Sequence, residues 1–390
     1  MQWKRAAAAA GAVVSLSAVT ACTVDGTATR GPIQLDTGKY ATSLQPAAGT
    51  ADTESEMNRL RAMRLGEDIA FRDEVDPVLT KFSMPTYPIS GASGLRGVFS
   101  DAADLPVSQK LRYGFTMAGG APDDSDGKNL HQGLNHAVLV YPDAETAGEA
   151  VSAMSGQMLK KTYGSPMRRT DVPGMPAETV ALTGKSSGGG QITVAFTPVA
   201  EKVVYTWADA DADDGGWTLA AVRSAFTKQK ALLDAMKPIS DDKRIDPNGL
   251  LRAVLPTESN GGSAFSGSVA GPRAISQLAS KSTATFADLQ KTGVTEAAVG
   301  GSLVFRAGGD DQAAELLKTL SDDSDDPTAK KADSPQDLPS AVCQTSKSSF
   351  GDDQATCFVA YGSYAAQADG SDLHEAQQKI SAQYLLLKQL

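Results

Sequence analysis

Apolar and polar positions along this chain fall into short blocks whose period changes from one to the next. The run His136–Tyr141 predicts a strand, and Asp143 is placed to cap a helix reaching about Lys161. Gln191–Phe196 and Lys202–Trp207 predict two strands around Thr197-Pro198, followed by a helix from Trp217 to Met236. The same order returns later. Ser302–Arg306 predicts a strand, Asp310 caps a helix through Leu320, a hairpin spans about Ala341–Tyr361, and a last helix runs from Asp372 to Leu390. Upstream, Thr53 and Glu56 have capping-box spacing, and Met57, Leu60, Arg64 and Ile69 keep a helical period. That helix is expected to end before Asp76-Pro77, because the residue before proline resists the α region.

The recurrence predicts an internal duplication. A single ungapped offset brings Trp207 onto Tyr361, Gly216 onto Gly370, Leu219 onto Leu373, Phe226 onto Ile380, Gln229 onto Gln383 and Leu232 onto Leu386. Shared core spacing on one helical face produces such a match. The expected fold is α+β: two related domains, 53–240 and 241–390, each an antiparallel sheet with helices packed on it, built as strand, helix, hairpin, helix. The offset carries the turn at Pro198–Glu201 onto Asp352–Ala355, whereas a bridge from Cys343 to Cys357 centres the turn near Phe350. The offset is therefore expected to hold only for the second strand and the last helix. Ser321–Ser340, with its acidic run before Pro327, reads as a solvated loop.

The first residues carry a different pattern. Lys4 and Arg5 precede an uncharged stretch that ends in Val19-Thr20-Ala21-Cys22. A basic start, an apolar run and small residues before a cysteine read as a bacterial lipoprotein signal, 1–21, with an acyl chain such as palmitate carried on Cys22. Ala6–Val24 is long enough to span a bilayer, but it is mostly Ala, Ser, Thr and Gly, a weak span. Residues 22–52 read as a tether, with a possible edge strand at Ile33-Gln34-Leu35 and Lys39-Tyr40. The expected location is the outer face of a cell membrane, lipid-anchored.

Charge narrows the partners. The formal net charge is −10, and loss of Lys4 and Arg5 makes it more negative. An acidic globule is repelled by phosphate backbones, so nucleic acid is excluded, and membrane contact is expected through the lipid on Cys22 alone. With 41% hydrophobic and 21% charged residues the chain can build packed cores. Once Cys22 is lipidated, Cys343 and Cys357 form an even pair outside the cytoplasm and are expected to be a disulfide.

Candidate chemistry is sparse. Gly184-Lys185-Ser186-Ser187-Gly188 matches G-x-S-x-G, but a strand rather than a helix follows, so no nucleophile elbow is expected. Asp209, Asp211, Asp213 and Asp214 invite a calcium reading, yet Asp214 and Ala220 stand where an EF-hand loop needs Gly and Glu. His131 and His136 are five apart near a strand start, which sends them to opposite faces, and His374 sits in the first turn of the last helix. Tyr205, Trp207, Trp217 and Tyr361 are read as core before pocket. No catalytic residue, metal or cofactor is predicted.

The stretches Leu35-Asp36-Thr37-Gly38-Lys39-Tyr40, Glu74-Val75-Asp76-Pro77, and Ala376-Gln377-Gln378-Lys379 with Ala382-Gln383-Tyr384 span nearly the whole mature chain. In that order, with the lipobox and the late cysteine pair, the chain resembles a family of uncharacterised cell-envelope lipoproteins of mycobacteria and related actinobacteria. The resemblance implies an envelope lipoprotein and brings no activity. The expected role is non-enzymatic binding of a small molecule, lipid or protein, with an envelope-acting hydrolase as the alternative.

Overall fold

A computed structural model describes residues 34–122, 131–258, 263–322, 328–347 and 351–390. Cys22 and the signal segment lie outside the described residues. The first half opens with α1 (Glu54–Leu65), whose Thr53 and Glu56 close the expected capping box. The chain turns out of this helix at Gly66 and re-enters a short α2 (Arg72–Val75), so the single helix expected up to Asp76 is two pieces. There follow β1 (Lys81–Ile89), β2 (Tyr113–Gly120), β3 (Gln132–Val140), α3 (Ala144–Met158), β4 (Arg168–Thr170), β5 (Val180–Lys185), β6 (Gln191–Val199), β7 (Lys202–Ala210) and α4 (Gly215–Ala235). The second half holds β8 (Ser268–Ala270), α5 (Pro272–Ser276), α6 (Ser282–Lys291), β9 (Glu296–Val299), β10 (Leu303–Arg306), α7 (Asp310–Asp322), β11 (Lys330–Ala332), β12 (Val342–Lys347), β13 (Asp353–Tyr361), β14 (Tyr364–Gly370) and α8 (Leu373–Leu387). Asp143 and Asp372 cap α3 and α8 through their carboxylates, as their positions imply. Lys330–Ala332, expected in a solvated loop, is instead the edge strand β11.

Each half builds one seven-stranded antiparallel sheet, in the orders β1-β2-β3-β7-β6-β5-β4 and β8-β9-β10-β14-β13-β12-β11. The two orders are identical element for element. The true unit is therefore larger than strand, helix, hairpin, helix: three antiparallel strands, a helix, four strands and a helix. Helices pack on both faces of each sheet. α3 packs on one face of the first sheet through Ala147, Ala150, Val151 and Met154, and α4 on the other through Ala221, Val222 and Ala225. In the second sheet α7 and α8 take those places through Ala313 and Leu316, and through Ala376 and Ile380. Double coverage explains the composition of the central strands. β2 is buried along nearly its whole length, and Ala365, Ala366 and Ala368 of β14 are fully buried between helices.

Pairing registers correct the sequence offset. Val199 opposes Lys202 at the end of the β6–β7 hairpin, as Tyr361 opposes Tyr364 in β13–β14. Counting back from these, Ala181 and Ala195 stand where Cys343 and Cys357 stand, and Trp207 answers Asp369 rather than Tyr361. In the helices the offset does hold. Gln229 and Gln383 are both fully buried on the last helix of their halves. Each amide donates to a carbonyl ahead of its own first strand, Asp68 at 2.7 Å and Ala253 at 2.6 Å. The strand and helix registers differ because Gln229 lies 22 positions after Trp207 and Gln383 only 14 after Asp369; the first half has a longer end to β7, the added turn Ala212–Asp214 and one more turn at the start of α4.

The two halves share a core. One hydrophobic cluster runs from Met63 and Leu65 of α1 through Phe115 and Met117 to Phe265, Ile275, Leu289 and Phe305. Phe115 meets Phe265 edge to face at 5.9 Å. Two arginines cross the boundary in opposite directions. Arg72 is 0% exposed and donates to the carbonyls of Gln277, Ala279 and Ser280. Burial pulls its guanidinium down to about 10, which leaves it charged at neutral pH. Arg273 donates to the Ile69 carbonyl at 3.0 Å and to Glu74 at 2.5 Å, and its guanidinium stacks 4.0 Å from the Phe71 ring. Leu35 to Leu44, expected as tether, lies against the second half instead. Tyr40 donates to Glu375 at 2.8 Å, Gln378 to Asp36 at 3.1 Å, and Tyr40 and Leu44 pack on Ala382 and Leu386.

Candidate functional site

α3 spans only 15 residues and covers one end of its sheet face. Past Met158 no described helix covers the sheet, and a groove of about 750 Å³ lies there. Its floor is Gly133 and Asn135 of β3 with Tyr205, Trp207 and Asp209 of β7. One wall is Met84-Pro85, which sits where the β1–β2 register slips between Ser83 and Tyr87. Met84 is 61% exposed there. The segment Arg96–Ser100 extends that wall, and Lys161–Tyr163, the exit from α3, forms the other.

Trp207 is held from two sides. Its ring meets Tyr163 edge to face at 5.2 Å, and its Nε1 donates to Asp209 Oδ1 at 3.1 Å. Asp209 Oδ2 lies 2.5 Å from His131 Nε2, so one carboxylate orients both the indole and the imidazole. Gly133 permits this, since a Cβ there would sit 2.6 Å from Asp209 Oδ1. Asn135 Oδ1 accepts from Thr116 at 3.0 Å, and its amide N–H groups have no partner among the described residues. Arg96 pairs with Asp104 at 2.7 Å and Lys161 with Asp101. Burial raises the Tyr205 phenol, with Tyr163 and Asp209 adding to the effect, and burial also raises Tyr163; both stay neutral.

The acidic run is a clamp on the start of β3. Asp211 accepts from the His131 backbone N–H at 2.7 Å, and Asp214 accepts from the Gln132 side chain. Among the described residues no group of three or more His, Cys, Asp and Glu is placed to hold a metal ion. His136 is on the opposite face from His131, fully buried against α4. Its Nε2 is 3.1 Å from Gln229 Oε1, which only accepts, so Nε2 carries the proton and Nδ1 accepts from Thr206 Oγ1 at 2.9 Å. Burial pushes this imidazole down to about 4. His374 is exposed in the first turn of α8 beside Gln378. Gly184–Gly188 straddles the end of β5 and the turn into β6, where Ser186 N donates to the Gly190 carbonyl at 2.8 Å. No serine is hydrogen-bonded to a histidine among the described residues.

The remaining singled-out residues are structural. Trp217 donates to Asp76 at 2.8 Å, and Tyr361, expected in the core, is 41% exposed and meets Tyr384 edge to face at 5.5 Å. Cys343 and Cys357 oppose one another in β12–β13 and are joined as a disulfide. Sequence reasoning had singled out His131, Tyr205, Trp207 and Asp209 separately. It had not singled out Asn135, Met84, Arg96 or Tyr163, which the strand order and the β1 bulge bring to the same place.

The fold and groove define a duplicated α+β protein with an open, aromatic-floored site on its first copy. The chain belongs to the DUF7373 family: residues 48–247 match its N-terminal domain and residues 250–389 its C-terminal domain, both described as domains of unknown function. Among solved structures it is similar to the extracellular domain of PknH from Mycobacterium tuberculosis. That likeness is at 17% identity over 42% of this chain and 93% of the other, with a TM-score of 0.25. It is also similar to DynU16 from the dynemicin biosynthetic locus, at 12% identity over 65% of this chain and 95% of that one, with a TM-score of 0.14. No curated protein matches it in sequence. No described helix is long and apolar enough to cross a membrane.

Proposed function

We propose that this protein is a ligand-binding lipoprotein of the actinobacterial cell envelope, held on the outer face of the membrane by the acyl chain on Cys22 and using the first-half groove as its binding site. The observation that carries this reading is the groove itself: about 750 Å³, aromatic on its floor, and furnished with amide donors at Asn135 that have no partner among the described residues. The Cys343–Cys357 bridge supports an oxidising compartment. Because Leu35–Leu44 is docked on the second half, the leash from Cys22 is short, and residues 22–34 reach at most roughly 45 Å when extended.

Native mass spectrometry of the mature protein, extracted from its own membranes, tests the binding role. A retained small molecule that is lost in Trp207→Ala supports it. A bare protein, or one with a stoichiometric protein partner and an empty groove, removes it. Cys22→Ala is expected to move the protein to the soluble fraction, and continued membrane retention contradicts the anchor. A hydrolase remains the second reading because His131, oriented by Asp209, stands at the groove edge. Turnover of a chromogenic ester or glycoside that disappears in His131→Ala would put catalysis in place of binding.

A further inference from the structure

We infer that the groove takes a neutral polyhydroxylated ligand, an oligosaccharide segment, with one sugar ring stacked on Trp207 and its hydroxyls bonded at Asn135. The inference rests on the groove being the binding site and adds the class of ligand. Four observations carry it.

The first is the floor. The indole of Trp207 faces a groove, is fixed by Tyr163 and Asp209, and sits beside Asn135, its cross-strand neighbour in β3–β7. A flat aromatic ring accepts the C–H face of a sugar, while an adjacent amide satisfies hydroxyls at the ring edge. The second is charge. Of the cationic side chains lining the groove, Arg96 and Lys161 have carboxylate partners, Lys81 is also engaged, and Asp209 is held by both His131 and Trp207. A phosphate or carboxylate ligand would have to compete with these acids on a chain of net charge −10. The third is polarity. Ser83, Ser100 and Thr162 line the rim with groups that both donate and accept, as sugar hydroxyls do.

The fourth is the internal control supplied by the duplication. At the same place on the second sheet lies a smaller cavity of about 490 Å³, lined mainly by apolar side chains (Ile275, Leu278, Leu289, Leu303, Phe305 and Leu320) with serine and threonine residues among them. There the pairing register puts Gln367 and Asp369 where the first half has Tyr205 and Trp207. An acyl chain suits that apolar cavity; the open groove with its aromatic floor and polar rim suits a hydrated ligand.

The test is isothermal titration calorimetry on the full mature chain, purified from membranes in a non-glycosidic detergent. The probes are maltohexaose, cellohexaose, mannohexaose and arabinohexaose, with palmitate and inositol hexakisphosphate as the apolar and anionic alternatives. Saturable binding of at least one neutral hexasaccharide is expected. It should weaken tenfold or more in Trp207→Ala and in Asn135→Leu and be largely kept in Trp207→Phe, with circular dichroism showing all variants folded. Hexasaccharide binding that ignores both positions overturns the inference. If only palmitate or the hexakisphosphate binds, and does so through Trp207, the ligand class is wrong and the groove as a binding site stands. If no probe binds and the protein leaves its membranes bare, the class and the binding role fall together.

Discussion

The two halves of this molecule have one strand order and opposite treatments of the same sheet face. In the first half the connection between the leading strands, β1 to β2, runs as short turns beside α3, and Leu95 and Phe99 join the core there without covering the sheet beyond Met158. In the second half the matching connection, β8 to β9, carries α5 and α6, whose Ile275 and Leu289 lie over the sheet and join the shared core. The same insertion point thus builds one wall of the groove in one copy and, in the other, two helices that narrow the site to a smaller, mostly apolar cavity. A duplicated scaffold can keep one copy open for a ligand because the other supplies packing area: Phe265, Ile275 and Phe305 bury Phe115 and Met117 from below the first sheet. The halves are also reinforced differently. Cystine joins β12 to β13 in the second, and alanines occupy the same rungs in the first. A buried histidine, His136, meets Gln229 in the first, and a serine, Ser302, meets Gln383 at 2.6 Å in the second.

The largest effect is expected at the shared boundary. Arg72→Met leaves three carbonyls of the second half without their buried donor and should cost about 3–4 kcal/mol. Urea unfolding followed by tryptophan fluorescence, which reports the first half through Trp207 and Trp217, and by far-ultraviolet dichroism should still show one transition, shifted. Two separate transitions would mean the halves do not share a core.

Next comes the disulfide. Cys343→Ser with Cys357→Ser should lower stability by about 3 kcal/mol, the loop-closure value for a ring of this length. Installing the bridge in the other copy, Ala181→Cys with Ala195→Cys, should form spontaneously on oxidation and raise the urea midpoint. Failure of those thiols to pair would refute the register that equates the two sheets.

The third effect is a pH dependence confined to the first half. The native imidazole of His136 is held near 4 by burial, against 6.5 for a free histidine. The unfolded chain therefore binds more protons between these values. The contribution is fully present above pH 6.5 and is lost as pH falls towards 4, by roughly 3 kcal/mol in all. His136→Ser, which copies the second half, should flatten the slope of stability between pH 6.5 and 4.5 relative to wild type. An unchanged slope assigns the acid sensitivity elsewhere. The smallest effect is at the groove. Trp207→Phe keeps the ring against Tyr163 and should change stability by less than about 1 kcal/mol.

Helices were legible in the sequence where a cap and a periodic apolar face agree, as at Thr53, Asp143 and Asp372. Strands were legible where β-branched and aromatic residues gather, as in β6 and β7. They were hidden where a strand is buried on both faces. β14 (Tyr-Ala-Ala-Gln-Ala-Asp-Gly) and β9 (Glu-Ala-Ala-Val) are small because helices lie close over them, and small residues carry little strand propensity. Four strands of each sheet were hidden; burial on both faces accounts for β2, β9 and β14, whereas β1, β4 and β11 are largely exposed edge strands, β1 broken by two prolines and the other two only three residues long. The groove was hidden for a different one. Met84, Asn135, Tyr163 and Trp207 lie far apart in sequence, and only the crossover that sets β3 beside β7 brings them together.

If the open first groove, and not its apolar counterpart, is where this protein meets its ligand, the two sites must respond differently to it. A ¹⁵N-labelled sample titrated with the neutral hexasaccharides, and then with a soluble extract of its own cell envelope, tests this residue by residue. The account predicts shifts in the Trp207 indole, the Asn135 side-chain amide and the Gly133 backbone, with Gly300, Leu303 and Gln367 unmoved. Shifts gathered at that second set with the first set silent would contradict it.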